Sequence, residues 1–508
     1  MSPPALVTTP AISTAHQPSP AVPRRVSRRG LWRAVMGCEW RLLRSDLGAW
    51  LALALMLGCT VAALLNGQQR NTERVTIVAA ARQDEAQRLQ TLAAQLARAE
   101  RAGPAAAGVA AAEPWRDPTN PLSVGRGIGA AVVHLADAPL GIAGIGLSDL
   151  YPASFRVAVG SRDRFLFTDE IANPLHLATG SFDLVFVTVY LLPLVLLALS
   201  YNVLSGEREQ GTWALTVASS APPLSVLLAK LLVRNAGVVG VLLGGTAAGL
   251  ALQGSPADAV ETLQAFATWT LTVCLYGAFW VLLTLWVNSW QRDSAFNALA
   301  LVMAWVLLLL VVPAAVNATA QALHPAPSRA EMVLAVRQAA VDAERDRAAE
   351  QARYLAEHGS AAPGNDRERR TLALTLVADQ RADEVLARHE TQVRLQRGLT
   401  DRLGLLSPPL LANEALVNLA GNGHARWDAH LQAVDAFHGQ WQGFFVGLVQ
   451  RGARLQGADL AQFPRFAAAG LGTWVPGTAA SLWAANGVLL LCTLLLTALA
   501  WRRLRHAG

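Results

Sequence analysis

Six apolar runs, each close to the length of a bilayer crossing, divide the chain into short basic loops and two long polar stretches. A helix needs about 20 predominantly apolar residues to cross the hydrocarbon core. The runs Gly48–Leu65, Phe182–Leu204, Leu231–Leu252, Phe266–Val287, Phe296–Val316 and Leu482–Trp501 meet that need. Pro193 lies inside the second run and predicts a kink, tolerated where neighbouring helices satisfy the freed carbonyl. Ahead of the first run, Trp32, Val35, Met36, Trp40 and Leu43 recur on one helical face, with Arg33, Arg41 and Arg44 at its edge or off it. That pattern predicts an interfacial amphipathic helix over 30–47. Residues 1–29 read as a disordered tail, rich in Pro, Ala, Ser and Thr.

The first polar stretch, 67–181, carries a helical stripe of Leu89, Leu92 and Leu96 within 81–102, then turns irregular after Gly-Pro and Pro-rich breaks. The second, 317–481, reads as charged amphipathic helices near 328–358, 366–403, 410–420 and 424–451, a pattern that suits a helical bundle. The fold class expected is therefore an all-α integral membrane protein with six spans and two large, mainly helical insertions.

Composition agrees with the spans. Only 15% of the 508 residues are charged and 53% are hydrophobic, against about 25% charged in soluble domains. The net charge of +6 comes from 42 basic residues, of which Lys230 is the one lysine. Arg-rich usage of this kind arises as readily from base composition as from polyanion binding, so nucleic acid is not an expected partner. Placement of the charge is more informative than its sum. Residues 1–47 hold seven Arg against two acids, and Arg502, Arg503 and Arg505 follow the last span. The loop 205–230 carries Arg208 and Lys230, and 288–295 carries Arg292, whereas 253–265 has no basic residue. Short loops rich in Arg and Lys stay cytoplasmic, so both termini and the 205–230 loop are expected inside, with 67–181 and 317–481 in the periplasm.

Two imitations at the N-terminus are set aside. SRRGLW (Ser27–Trp32) mimics a twin-arginine export signal, but charged residues follow where an apolar run is required. MLGC (Met56–Cys59) mimics a lipoprotein cleavage box, in the middle of a span-length run. Cys38, Cys59, Cys274 and Cys492 all lie in or beside apolar segments, so neither a disulfide framework nor a zinc–thiolate site is expected in the polar stretches.

Candidate chemistry is sparse. No G-x-x-x-x-G-K-[ST] loop occurs, so the chain lacks the phosphate cradle of a P-loop ATPase. His424, Asp428, His430 and His438 gather on one helical segment, but His430 falls far around the helix from Asp428. Surface or interface polarity is the expected reading there, and no metal site is assigned. Asp183 and Arg234 lie in or beside apolar spans, where charge is costly; interfacial anchoring is expected of both.

One stretch carries more. Gly206, Glu207, Arg208, Glu209, Gln210, Gly211 and Thr212 follow the second span as SGEREQGT, and a short apolar stretch, prolines and Lys230 lead into the third. Glycines at both ends free the backbone to turn, and the charges between them suit contacts to a soluble partner. This arrangement resembles the permease subunit of type 2 ABC exporters. GLSDLYP (Gly146–Pro152), NPLHLATGSFDLVFVTVYLLPL (Asn173–Leu194) and SPPLLANEALVNLAGNGHARW (Ser407–Trp427) are similar to a subfamily with two large periplasmic insertions, related to the permease of nitrous-oxide-reductase maturation. The resemblance covers most of 30–505. It implies that Gly206–Thr212 belongs to a coupling element contacting a separate ABC ATPase, which binds ATP and Mg. It further implies pairing with a second permease, as a homodimer or with a sister subunit, in the bacterial inner membrane. Membrane lipid is an expected partner, and a periplasmic protein a further one. A non-transporting scaffold or signalling protein with partner-binding periplasmic helices is the alternative class.

Overall fold

The structure is a computed structural model that describes residues 28–102, 117–160, 182–214, 222–253, 259–325, 329–346, 366–467 and 478–506, with isolated positions between 347 and 365. Most of the expected N-terminal tail, the Asn173–Gly180 part of the motif that leads into the second span, the stretch 215–221 and the end of the 328–358 helix lie outside the described residues.

The chain is a mainly helical, multi-pass membrane protein. Among the described residues, six helices are long and apolar enough to cross a bilayer. An initial helix, α1 (Arg28–Ser45), leads directly into α2 (Leu47–Ala102). Asp46 marks the joint, its carboxylate accepting from the Gly48 amide at 2.8 Å. The other span-length helices are α4 (Leu184–Glu209), α5 (Pro223–Gln253), α6 (Ala259–Asn288), α7 (Ser294–Leu323) and α12 (Thr478–His506). Between α2 and α4 lie a short helix, α3 (Pro121–Arg126), and two strands, β1 (Ala131–His134) and β2 (Ser154–Val157). Between α7 and α12 lie α8 (Arg329–Arg345), α9 (Asp366–Gly404), α10 (Pro408–Leu419) and α11 (His424–Arg451).

Two features differ from the sequence expectation. The helix that carries the first apolar run does not end near Leu65. α2 continues for 56 residues as one helix, because no proline or glycine pair interrupts it before Ala102. The stripe of Leu92 and Leu96 therefore belongs to the same rod that crosses the membrane, and both are fully buried beyond it. The first polar stretch also contains a small antiparallel sheet, with Ala131 opposite Val157 and His134 opposite Ser154.

Proline shapes two of the spans. Within α4, a π-helical turn at Val187–Leu191 leads straight into the helical segment Leu192–Ser200 that holds Pro193. Within α7, a π-helical turn at Leu307–Val311 stands in the same relation to Pro313. Proline has no amide proton, so the carbonyl four residues earlier loses its helical partner, and a π turn lets the chain swing past the ring. For Pro193 that carbonyl belongs to Val189, and the Tyr276 hydroxyl of α6 donates to it at 2.8 Å. The Trp305 indole of α7 donates to the neighbouring Tyr190 carbonyl at 3.3 Å.

The helices fall into a membrane bundle with two unlike ends. One end, here the basic end, holds α1, the turn Ser205–Thr212, the 289–293 turn and Arg502–Arg505. The other holds the insertions. The main apolar core of the bundle includes Leu184, Trp269, Tyr276 and Leu489 and continues without a break into Leu411, Leu416 and Leu419 of α10, while Leu204, Leu227, Leu285 and Leu504 form a smaller cluster at the basic end. α10 thus seals the far end of the bundle. A second core, farther out, joins Leu92 and Leu96 to Val133, Phe155, Trp441 and Phe445. α8 and α9 form a separate hairpin on Met332, Val336, Ala382 and Leu386.

Candidate functional site

Two polar assemblies stand out, one at each end of α4.

At the basic end the charges pair across three elements. Glu39 of α1 is almost fully buried. Its Oε1 lies 3.1 Å from Lys230 Nζ and its Oε2 lies 3.2 Å from Arg234 Nε, both on α5. Lys230 also pairs with Glu207. Arg234 Nη1 reaches back to the Leu199 carbonyl and Asn202 Oδ1, each at 3.4 Å. Two acids and two bases therefore neutralise one another where α1, α4 and α5 meet. Taking charges out of water is tolerable only when they are paired and hydrogen-bonded; all four charges of this group are paired, although Glu207 Oε2 is buried without a hydrogen-bond partner among the described residues.

The remaining charges of the SGEREQGT stretch also turn inward. Arg208 donates to the Gln291 carbonyl, and Glu209 Oε1 accepts from the Ser294 amide at 2.7 Å. Ser205 Oγ and Ser294 Oγ are 2.8 Å apart, and the Leu204 amide donates to Asn288 Oδ1 at 3.3 Å. Gly206 sits in the short helix Ser205–Glu209. Gly211 turns the chain with φ 73°, after which the Thr212 amide donates to the Glu207 carbonyl at 2.9 Å. Gln210, Gly211 and Thr212 form the exposed tip. Glu207 thus ties the turn to α5, and Arg208 and Glu209, both still exposed, tie it to the 289–293 turn and the start of α7.

At the opposite end, motifs distant in sequence converge. Asp183 caps α4: Oδ1 accepts from the Phe186 amide at 2.7 Å and Oδ2 from the Ile145 amide at 2.8 Å. Its anchoring role thus reaches into the first insertion. Asn422, after α10, donates through Nδ2 to the Gly144 carbonyl at 2.6 Å, while its own carbonyl accepts from the Leu147 amide at 3.0 Å. Arg74 of α2 donates to Asn422 Oδ1 at 3.3 Å. Gly146 and Gly421 both adopt positive φ, 50° and 74°. A Cβ at Gly146 would lie 2.7 Å from the Asn422 carbonyl oxygen, and one at Gly421 would lie 2.2 Å from Ala138 Cβ. Arg426 is buried beneath them and donates to the carbonyls of Gly421 at 3.0 Å and Ala136 at 2.6 Å. Burial pulls its pKa down to about 10. Tyr151 stacks on Trp427 at 4.8 Å.

The His424–His438 group does not converge. His424 is exposed, and Asp428 pairs with Arg397. His438 is buried with Nε2 2.8 Å from the Gly160 carbonyl. His430 is fully buried among Phe155, Trp427 and Phe466, and neither ring nitrogen has a hydrogen-bond partner among the described residues. Burial, reinforced by Arg426, His134 and Arg74, pulls its pKa down to about 4. The reading of this group as surface or interface polarity holds for His424 and Asp428 and is corrected for His430 and His438, which are core residues because α11 turns that face onto the strands. Glu39 is the one charge of the basic-end group that the sequence did not single out. The available signal was one acid on the inward face of α1, four residues before Leu43 and three after Met36.

Residues 329–469, spanning α8 to α11, match a family described as a domain of unknown function, DUF3526. No curated protein matches the chain.

Proposed function

We propose that the chain is the transmembrane permease subunit of a bacterial ABC exporter of the type 2 class, driven by ATP hydrolysis in a separate ATPase subunit. The observation that carries this reading is the turn Ser205–Thr212. It is braced against α1, α5 and α7 so that a push on its exposed tip passes into several helices at once. The same helix, α4, ends at the Asp183 junction with the insertions. Force applied at the basic end thus has a covalent path to the far side, with the π turn before Pro193 as the place where α4 can flex.

In this reading the termini and the Gly206–Thr212 turn face the cytoplasm, and both insertions face the periplasm of the inner membrane. ATP and Mg are held by the partner, which contacts the Gln210–Thr212 tip. A second permease, identical or a sister subunit, completes the assembly. α7 supports that pairing by exposing Leu299, Met303 and Leu307 at 65%, 60% and 51%, an apolar face for lipid or another span. The seal of α10 on the bundle favours movement of the periplasmic domains together with the spans.

The test is co-expression with any ABC ATPase encoded beside the gene. A Gln210→Arg plus Thr212→Arg variant keeps the bonds that tie the turn to α5 and α7, giving up only that of the Thr212 hydroxyl to the Glu207 carbonyl, and should lose ATPase copurification at normal membrane abundance. Unchanged copurification, or no adjacent ATPase that binds the wild type, would favour the scaffold class. Single cysteines at Gln338 and Arg502, in a background without the native four, report sidedness. Labelling of the first from the cytoplasm would overturn the orientation.

A further inference from the structure

A cleft of about 520 Å³ opens at the basic end between α1, the start of α5 and the end of α12. This lies within the size range of small-ligand sites. Leu224, Leu228 and Leu504 give it an apolar floor, and Trp32, Trp501 and Arg505 stand around its mouth. Two of its walls are the terminal turns of span-length helices, which places the opening at the level where hydrocarbon gives way to headgroups. Tryptophan favours that level, because its ring is apolar and its N–H is polar.

The charge around the cleft is one-sided. Arg505 lies over the Trp501 ring with its guanidinium carbon 4.6 Å from the centroid. Arg503 lies over Trp290 at 5.4 Å. Helix α12 contains no acidic residue at all. Among the described residues neither Arg505 nor Arg502 has a carboxylate partner. The contrast with Lys230 and Arg234, both paired to acids nearby, is marked. A guanidinium held on an indole, above a leucine-lined floor at membrane level, matches a ligand with an anionic head and an apolar tail.

We infer that this cleft binds one anionic phospholipid, with Arg505 on the phosphate, Trp32 and Trp501 beside the ester region, and Leu224 and Leu228 against the upper acyl chain. The bound lipid would fill the space between α1 and α12 and so brace α1, the helix that supplies Glu39 to the charge group. The inference does not rest on the coupling role of the Gly206–Thr212 turn.

Native mass spectrometry of the full chain in detergent tests it, using a defined mixture of phosphatidylglycerol and phosphatidylcholine. The wild type should retain one phosphatidylglycerol in preference to phosphatidylcholine. Arg505→Gln should reduce that preference about five-fold, the factor one basic side chain contributes near an anionic lipid surface. Leu224→Trp, which fills the cleft without changing charge, should abolish retention of either lipid. Arg502→Gln should leave the preference intact. Helicity and monodispersity of each variant show that it is folded. Equal preference in Arg505→Gln and the wild type would overturn the inference, as would equal loss in Arg502→Gln, which would indicate a diffuse basic surface. Saturable binding of inorganic phosphate without lipid retention would overturn it in favour of a free-anion site.

Discussion

The hydroxyl of Tyr276 donates to the carbonyl of Val189, the group that Pro193 leaves without its helical amide. A tyrosine on α6 thereby supplies the bond that a proline on α4 removes, within the apolar core of the bundle. Tyr276→Phe should leave that carbonyl bare and lower stability by about 1 kcal/mol, the usual scale of an interhelical hydrogen bond in a bilayer. The unfolding midpoint in mixed micelles of rising denaturing detergent measures this. A Pro193→Ala background restores the amide and should shrink the effect.

Lys230 joins two carboxylates from different elements. Lys230→Met strands Glu39 and Glu207 together and should destabilise by more than the about 1 kcal/mol of an exposed pair, towards the about 3–5 kcal/mol of breaking a buried one. Combining it with Glu207→Gln should recover part of the loss, since one uncompensated charge disappears. A double-mutant cycle on thermal stability of the purified protein gives the coupling. Additive losses would mean the two side chains do not interact.

His430 sets a pH dependence for the outer core. Its folded pKa of about 4 lies below the ordinary value of 6.5, so between those values the unfolded chain binds more protons and stability rises with pH. The contribution is complete above about pH 6.5 and is lost as pH falls towards 4, at most about 3 kcal/mol. His430→Leu should flatten this part of the profile and remove two unpartnered buried nitrogens. Tryptophan fluorescence during unfolding from pH 7 to 4 reports it through Trp427, whose ring lies 5.7 Å from His430. An identical slope in both proteins would assign the acid sensitivity elsewhere.

Gly146 packs against Asn422 at positive φ. Gly146→Ala meets both backbone strain and a 2.7 Å contact with a carbonyl oxygen, and should cost at least about 1 kcal/mol. The expected result is faster proteolysis of the insertions with the six spans still inserted. Asp183→Ala, which removes the other bond across the same junction, should act in the same direction.

The six spans were legible because hydropathy needs no tertiary information, and Asp366 and His424 begin helices where periodicity put them. The unity of α2 was not, because its composition changes from apolar to charged near Gly67 while its backbone does not. β1 and β2 have four residues each, too few for an alternation to register. The polar assemblies were half legible. Gly206–Thr212, Asp183 and Arg234 were singled out by cost and position, but their partners are set by the fold. Glu39 meets Arg234 across 195 positions of chain, and Asn422 meets Gly144 across 278. Local patterns carry no record of such pairings.

The unbroken α2 has a mechanical consequence. At 1.5 Å per residue its 56 residues measure about 84 Å, of which the bilayer core takes roughly 30 Å. The part beyond Gly67 is then a lever arm of about 50 Å, stiff because a helix without a proline or glycine break has no pivot. A tilt of about 10° within the membrane, ordinary for a spanning helix, would sweep Ala102 sideways by roughly 9 Å. Leu92 and Leu96 sit well along that arm, so the outer core would move by several times any displacement made at the bilayer surface.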